Sequence, residues 1–426
     1  VGNANVTDTG TDSATDIIAT TLTINDGAGT PGSAGTITLD TAVTTLNLHG
    51  GAVTIHDGDG LDIASITSTS LDLLTAGGIT DSGSVSVTNL AKFNSTGNSI
   101  VLGDSTTANF GSLDFSGSVV TISESSSMEI ADSEASGALS LVATGAITQT
   151  GVIDSISTSS FNSGANAITL TQANDFAGAV SLTNTGTANA VQITDANAID
   201  LGTVSVGGAL TVNSSGTIAD SGAVSVAGLA TLSSGGKSIT LGDSTTLTMG
   251  SVDFAGSTVS ITEGDAMSIA ASEATGALSL TATGAITQTG RIDADNTTSL
   301  INTSGTNDNI TLTNTSNDFT GAVSVTATDS TSDVSITDAN ALNLGTVSVG
   351  QNLTVGTTGA ITNSGNITVS GLADFNSNAN AITLNGTVAL NTLTVNGGAV
   401  SITETNGVIL SGTSAASSFD LVTSTG

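Results

Sequence analysis

The stretch GALSLVATGAITQTG at residues 137–151 returns at residues 276–290 as GALSLTATGAITQTG, with a single substitution. Ile147 and Ile286 thus stand 139 positions apart, and the same offset carries Leu102 to Leu241, Phe115 to Phe254 and Ile79 to Ile218. A further copy follows at a step of 143, from Ile218 to Ile361. Self-similarity at a fixed period marks stacked units, each of which buries its apolar face against its neighbours. The expectation is one all-β solenoid, not a set of globular domains.

A shorter beat of about twenty residues runs inside the long one, as in TVSVGGALTVNSSGTIADSG at 203–222 followed by AVSVAGLATLSSGGKSITLG at 223–242. Each segment carries three short runs of alternating apolar and polar residues, led by Val204, Leu210 and Ile218 in the first and by Val224, Leu229 and Ile239 in the second. Alternation at period two sends one row of side chains inward and the other outward. Three strands bent round a small triangle, each turn stacked on the last, bury the inward row. Seven such coils make one long repeat, and about twenty-one coils at roughly 4.8 Å give a rod of roughly 100 Å.

Comparing the copies sorts inside from outside. Val101 becomes Thr240, Val142 becomes Thr281 and Val152 becomes Arg291, which marks outward positions. Ile100/Ile239, Leu102/Leu241, Leu139/Leu278 and Ile147/Ile286 do not change, which marks the core. Phe115 with Phe254, and Phe176 with Phe319, read as core plugs, and Phe93, Leu232 and Phe375 share one apolar slot. The offset grows between Asp293 and Ile310, so an insertion is expected there on an exposed corner. Residues 1–52 read as degenerate N-terminal coils, with a loop or bent corner around Pro31. Residues 53–426 read as the regular solenoid, with long repeats at 79–217, 218–360 and 361–426. The last repeat stops at Gly426 inside a motif that matches Gly284, so the natural chain is expected to continue.

Composition narrows the function. The chain is 38% apolar but 2% aromatic, with no Trp or Tyr and nine Phe, so Val, Ile, Leu and Ala must fill the interior. Such side chains suit a narrow space between close strands. One proline and a mean hydropathy of +0.30 separate the sequence from disordered chains. Three Lys and Arg against 36 Asp and Glu leave a net charge of −33, which excludes nucleic acid and argues against an anionic membrane surface. The acids are scattered singly and are expected to form a solvated coat. The lack of Cys removes disulfides, thiolate metal sites and a Cys nucleophile. No apolar run reaches eighteen residues, as a membrane span needs, and the sequence from Val1 shows no basic n-region followed by an apolar h-region, so for an exported chain the signal is expected upstream.

Four segments carry a family likeness: GALTVNSSGTIADSGAVSV at 208–226, GQNLTVGTTGAITNSGNITV at 350–369, NDFTGAVSV at 317–325 and ITDANALNLG at 336–345. They resemble the repeats of filamentous-haemagglutinin-like adhesins, very large bacterial surface proteins secreted by two-partner or autotransporter routes. The likeness covers residues 55–426. It implies a right-handed parallel β-helix, export in extended form, and an extracellular place on the bacterial surface in attachment or in a fibre. The implied partner is a host, neighbouring-cell or matrix surface. The family's N-terminal secretion domain and C-terminal barrel are not in this sequence.

Candidate chemistry is sparse, and the chain is expected to be no enzyme. His49 and His56 read as solvated strand or corner residues, and Lys92, Lys237 and Arg291 are too few and too far apart to line a groove for an acidic sugar. No catalytic, cofactor or metal-ligating residue is assigned. Glu124, Glu263 and Glu404 fall at one position of the long repeat, and Glu134 and Glu273 at another. Both sets read as outward solubilising groups, with Ca²⁺ ligation as the alternative. Asp57, Asp59 and Asp62, in DGDGLDI, match a Ca²⁺-binding nonapeptide once, without tandem repetition. Asn174, Asn314 and Asn317 read as turn formers. The leading expectation is a structural and adhesive rod or stalk. A filament subunit stacking end to end through open strand edges is the alternative, and a polysaccharide lyase or hydrolase is a third class.

Overall fold

A computed structural model describes residues 5–7, 14–25, 35–104, 106–304 and 307–423, with side chains described for all of these except 413–416. The Pro31 corner and Gly426 lie outside the described residues. The regular elements among them are strands, paired in parallel, with no helix. The chain divides into two units, Val1–Thr211 and Val212–Gly426. Each is a parallel β-solenoid, and the two together hold about 20 turns.

One coil of the first unit illustrates the build. Strands Val120–Glu124, Met128–Ile130 and Ser133–Ala135 form three sides, and Leu139–Ala143 then lies over the first, with Val120 against Leu139 and Glu124 against Ala143. Alternation holds through each strand: Val120 and Ile122 are buried, while Thr121 and Ser123 face out. β-branched and aliphatic side chains thereby stack on their own kind, coil upon coil.

The inward columns are long. In the first unit Ile37, Val53, Leu71, Ala91 and Leu113 pair in succession, Leu113 meets Ile130, and the neighbouring Met128 leads on through Ile147 and Ile168 to Val191. All are at most 2% exposed. In the second unit a column runs from Ala230 through Val252, Ile269 with Met267, Ile286, Ile310, Val334 and Leu353 to Ala373. Those seven steps span the 143 residues of a long repeat, as the twenty-residue beat requires. Each buried methylene contributes about 0.8 kcal/mol, so a column of this kind outweighs any surface pairing.

The pairs that stay constant between copies are at most 2% exposed, and the variable positions 101, 142, 152, 240, 281 and 291 are not buried. Phe93, Phe115, Phe176, Phe254, Phe319, Phe375 and Leu232 are in the core as expected. The insertion before Ile310 falls between strands Thr298–Asn302 and Ile310–Leu312. One expected lead residue differs. Leu229 is 36% exposed, because a bulge between Val226 and Leu229 shifts the register and turns Ala230 and Leu232 inward instead.

Gly103 and Gly242 hold equivalent tight corners at φ +70° and +72°. A Cβ there would stand 2.0 Å from the Ser123 or Thr262 carbonyl oxygen of the next coil. Glycine is required by both backbone and space.

Candidate functional site

The long stacks are interrupted wherever a strand segment has a parallel neighbour below but none above. Ala108–Phe110 pairs with Val85–Val87 on the earlier coil, yet the next coil meets strand Ala108–Gly117 only from Leu113 onward. A buried backbone N–H left there costs about 1–3 kcal/mol. The chain fills the gap with the acid that ends the next strand. Glu124 Oε1 accepts the Phe110 N–H at 2.9 Å, and the Ser125 N–H donates to Ala108 O at 3.0 Å.

This two-bond clamp occurs six times among the described residues. Asp57 accepts the Val43 N–H at 3.0 Å, Asp195 that of Phe176 at 2.9 Å, Glu263 that of Met249, Asp338 that of Phe319 at 2.8 Å and Glu404 that of Leu390 at 3.1 Å. In every case the next residue's N–H donates to the carbonyl two positions before the clamped one: Gly58 to Thr41, Ala196 to Asn174, Gly264 to Leu247, Ala339 to Asn317 and Thr405 to Val388. The six acids are 4, 2, 1, 1, 1 and 0% exposed in chain order. Glu124, Glu263 and Glu404 are therefore not outward solubilising groups; they point into the solenoid.

The sequence carries the signal. VTIHD, VTISE, VQITD, VSITE, VSITD and VSITE each place the acid two positions beyond the second inward aliphatic. The acid is in phase with the core, and period two assigns it inside. Position in the period-two pattern, not charge, sets which way these side chains point.

Two further acids act alike. Asp81 accepts the Gly103 N–H at 2.9 Å and the Thr106 hydroxyl, and Asp220 accepts the Gly242 N–H at 3.0 Å and the Thr245 hydroxyl. Asn174 and Asn317 belong with them and are not exposed turn formers. Both are fully buried, accept the Ile153 and Ile292 N–H at 2.9 and 3.0 Å, and exchange bonds with Gln149 and Gln288. Asn314 does form a turn, accepting the Ser316 N–H at 3.0 Å.

Burial acts on the charge of these groups. It pushes the Glu124 carboxyl up to about 7 and that of Glu263 to about 8, against the downward pull of the clamped N–H groups. Burial likewise raises Asp195 and Asp338, opposed by the N–H bonds of Asn197 and Phe176 in one and of Phe319 and Asn340 in the other.

The outer surface is organised differently. Glu134, Asp154 and Asp175 sit on successive coils, as do Glu273, Asp293 and Asp318, all outside the core. Arg291 neutralises part of the second set, at 2.8 Å from Asp293 and 3.8 Å from Asp318. Asp253, Phe254, Ser272, Glu273, Arg291 and Asp293 line a cleft of about 240 Å³ beside it. Lys92 lies 3.3 Å from Asp114, whose carboxyl is raised by burial and held back by the Lys92 charge. His56 is exposed and contacts Asp40 at 3.2 Å, and His49 ends strand Ile37–His49.

Asp57, Asp59 and Asp62 are not gathered as ligands. Asp57 points inward into its clamp, Asp59 is exposed, and Asp62 accepts the Ser82 hydroxyl at 2.7 Å. Among the described residues no group of three or more Asp, Glu or His is placed to hold a metal ion, and no helix is long and apolar enough to cross a membrane.

Stacked coils, in-phase acids and a recurring clamp define a β-solenoid repeat protein. The chain belongs to a family of repeats of unknown function (DUF5649), matched at residues 50–115, 116–183, 188–255, 256–326 and 331–396, about four fifths of its length. No curated protein and no solved structure matches it. The family unit is half the 139-residue period, and each matched segment holds one clamp acid at its eighth or ninth position. Equivalent residues of neighbouring segments occupy different sides. Val120 stacks on Leu139, Ser159 and Val180, whereas its counterpart Val191 stacks on Ile168 and Ile147.

Proposed function

We propose that the chain is an extracellular structural rod, a stalk or fibre segment of a large bacterial surface protein, that presents or spaces an adhesive surface. The observation carrying this reading is the long inward column, which runs through nine coils of the first unit, with the gaps in strand pairing closed by buried clamps. Its backbone bonds join coil to coil, so stiffness and stability accumulate per coil. The acidic exterior of net charge −33 keeps such a surface hydrated and self-repelling. The adhesive part rests on the repeat likeness, and the partner is a host, neighbouring-cell or matrix surface.

Beads coated with this chain, compared with beads carrying a longer form of the protein, test it. Binding by the chain itself supports adhesion here, binding by the longer form alone reduces the chain to a stalk, and binding by neither removes attachment. The reading includes no catalytic step, and turnover of pectin, alginate or another acidic glycan would overturn it. A second reading, stacking of copies, draws on strand Ile409–Thr423, where Ile409, Leu410, Phe419 and Val422 are 66, 46, 37 and 50% exposed. Light scattering across concentration decides it, since a monomer at high concentration contradicts stacking.

A further inference from the structure

Within the clamp row, four acids bind two ways. Beyond the clamped N–H, the second oxygen of Asp57 accepts the Asp59 N–H at 3.0 Å, that of Asp195 the Asn197 N–H and that of Asp338 the Asn340 N–H, both at 2.6 Å. Glu404 Oε2 accepts the N–H groups of Asn406 and Gly407 at 2.9 and 2.8 Å. Glu124 and Glu263 break the pattern. Their Oε2 atoms are buried without any hydrogen-bond partner.

A carboxylate oxygen in that position keeps its share of negative charge with neither water nor donor to meet it, and a proton removes the charge at once. We propose that Glu124 and Glu263 hold their protons in the folded solenoid well above the ordinary carboxyl range, so that the first two long repeats each take up a proton on folding and the coil stack loses stability as the pH rises from mildly acid to neutral. The same Oε1 atoms still accept the clamped N–H in the protonated acid, so the clamp survives the neutralisation.

The surroundings agree. Around Glu124 stand the Phe110 N–H and the Ser126 hydroxyl, with no charged side chain contributing. Glu263 faces the Met249 N–H and Asp265, whose negative charge adds to the burial effect. The two carboxyls are raised from 4.5 to about 7 and about 8. Between those values and 4.5 the folded chain holds protons that the unfolded chain has released. Stability therefore falls as pH rises through that window and is highest near its acid end.

The chain contains six glutamates, of which Glu129, Glu134 and Glu273 are exposed and serve as internal references. Carboxyl-¹³C glutamate labelling resolves them by NMR across pH 4 to 9. The expected result is two resonances titrating near neutrality, both lost in the E124Q/E263Q double variant. Guanidinium unfolding of the whole chain between pH 5.5 and 9 should give an unfolding constant that climbs by up to about tenfold per pH unit for each group, up to about pH 7 for Glu124 and about pH 8 for Glu263, and levels off above. The double variant should lose most of that slope and E129Q/E134Q should keep it. If every glutamate resonance titrates in the ordinary carboxyl range, or if E124Q/E263Q retains the full slope, the proposal fails. Should the double variant not fold, the wild-type NMR titration decides alone.

Discussion

The two units repeat one interior and differ on the outside. Ile100, Leu102, Leu139 and Ile147 have identical counterparts at 239, 241, 278 and 286, and the Glu124 clamp is matched bond for bond by that of Glu263. The cations, by contrast, move. Lys92 pairs with Asp114 in the first unit, where the second has Thr231 and Asp253; Arg291 pairs with Asp293 and Asp318 in the second, where the first has Val152. Sequence is held where a side chain meets its equivalent in the next coil and is free where it meets water. Polarity is no guide to which is which, because the clamp acids belong to the constrained set.

The comparison can be broken at its strongest point first. Phe115→Ala and Phe254→Ala should each cost about 3–5 kcal/mol, because the two rings fill corresponding sites that are 0 and 1% exposed, one stacked on Phe93 and the other on Leu232. Guanidinium unfolding in which either variant loses less than about 1 kcal/mol would mean that its ring does not plug the core. Next in size, Glu404→Ala removes both the clamp and the bonds to Asn406 and Gly407, and should cost about 2–4 kcal/mol. The outward Glu273→Ala should stay within about 0.5 kcal/mol. Equal losses at 404 and 273 would erase the distinction between inward and outward acids. The smallest effect sharpens the surface side: exchanging the cation, as Arg291→Val with Val152→Arg, should change stability by less than about 1 kcal/mol and shrink further in salt.

The pH dependence belongs between these extremes. Since Asp195 and Asp338 are also raised by burial but have both oxygens bonded, Asp195→Asn should disturb the clamp at every pH and leave the slope with pH in place. Thermal midpoints at pH 6 and pH 8.5 check this; a slope that vanishes with Asp195 would move the proton-sensitive role to the wrong acid.

Much of the architecture was legible in the residues. Unchanged Ile147 and Ile286, variable Val152 and Arg291, and the twenty-residue beat gave the coil, its inward row and seven coils per long repeat. Three features are not legible there. The half-length unit hides because segments such as VTISE and VQITD preserve a pattern of phase more than a string of letters, and because neighbouring segments face different ways. The clamp acids hide because an isolated carboxylate usually means solvent, and no local signal says that the strand below Glu124 lacks a neighbour. That gap is created by pairing between coils, at a separation of 14 residues, and Phe110 gives no sign of it in one dimension. The bulge that turns Leu229 outward escaped for a similar reason, since a run of apolar letters fits either register.

The offset between Val120 and Val191 has a consequence for how such a chain can lengthen. Seven coils are shared by two family segments, so one segment does not advance a whole number of turns: Val191 stands in the column of Met128, one side of the coil on from Val120. Adding or deleting one segment would set the coils beyond the join on by a side, so that each inward column would meet a different one. Changes in even numbers preserve the register of sides, so growth by paired duplication is the route that continues each inward column on its own counterpart.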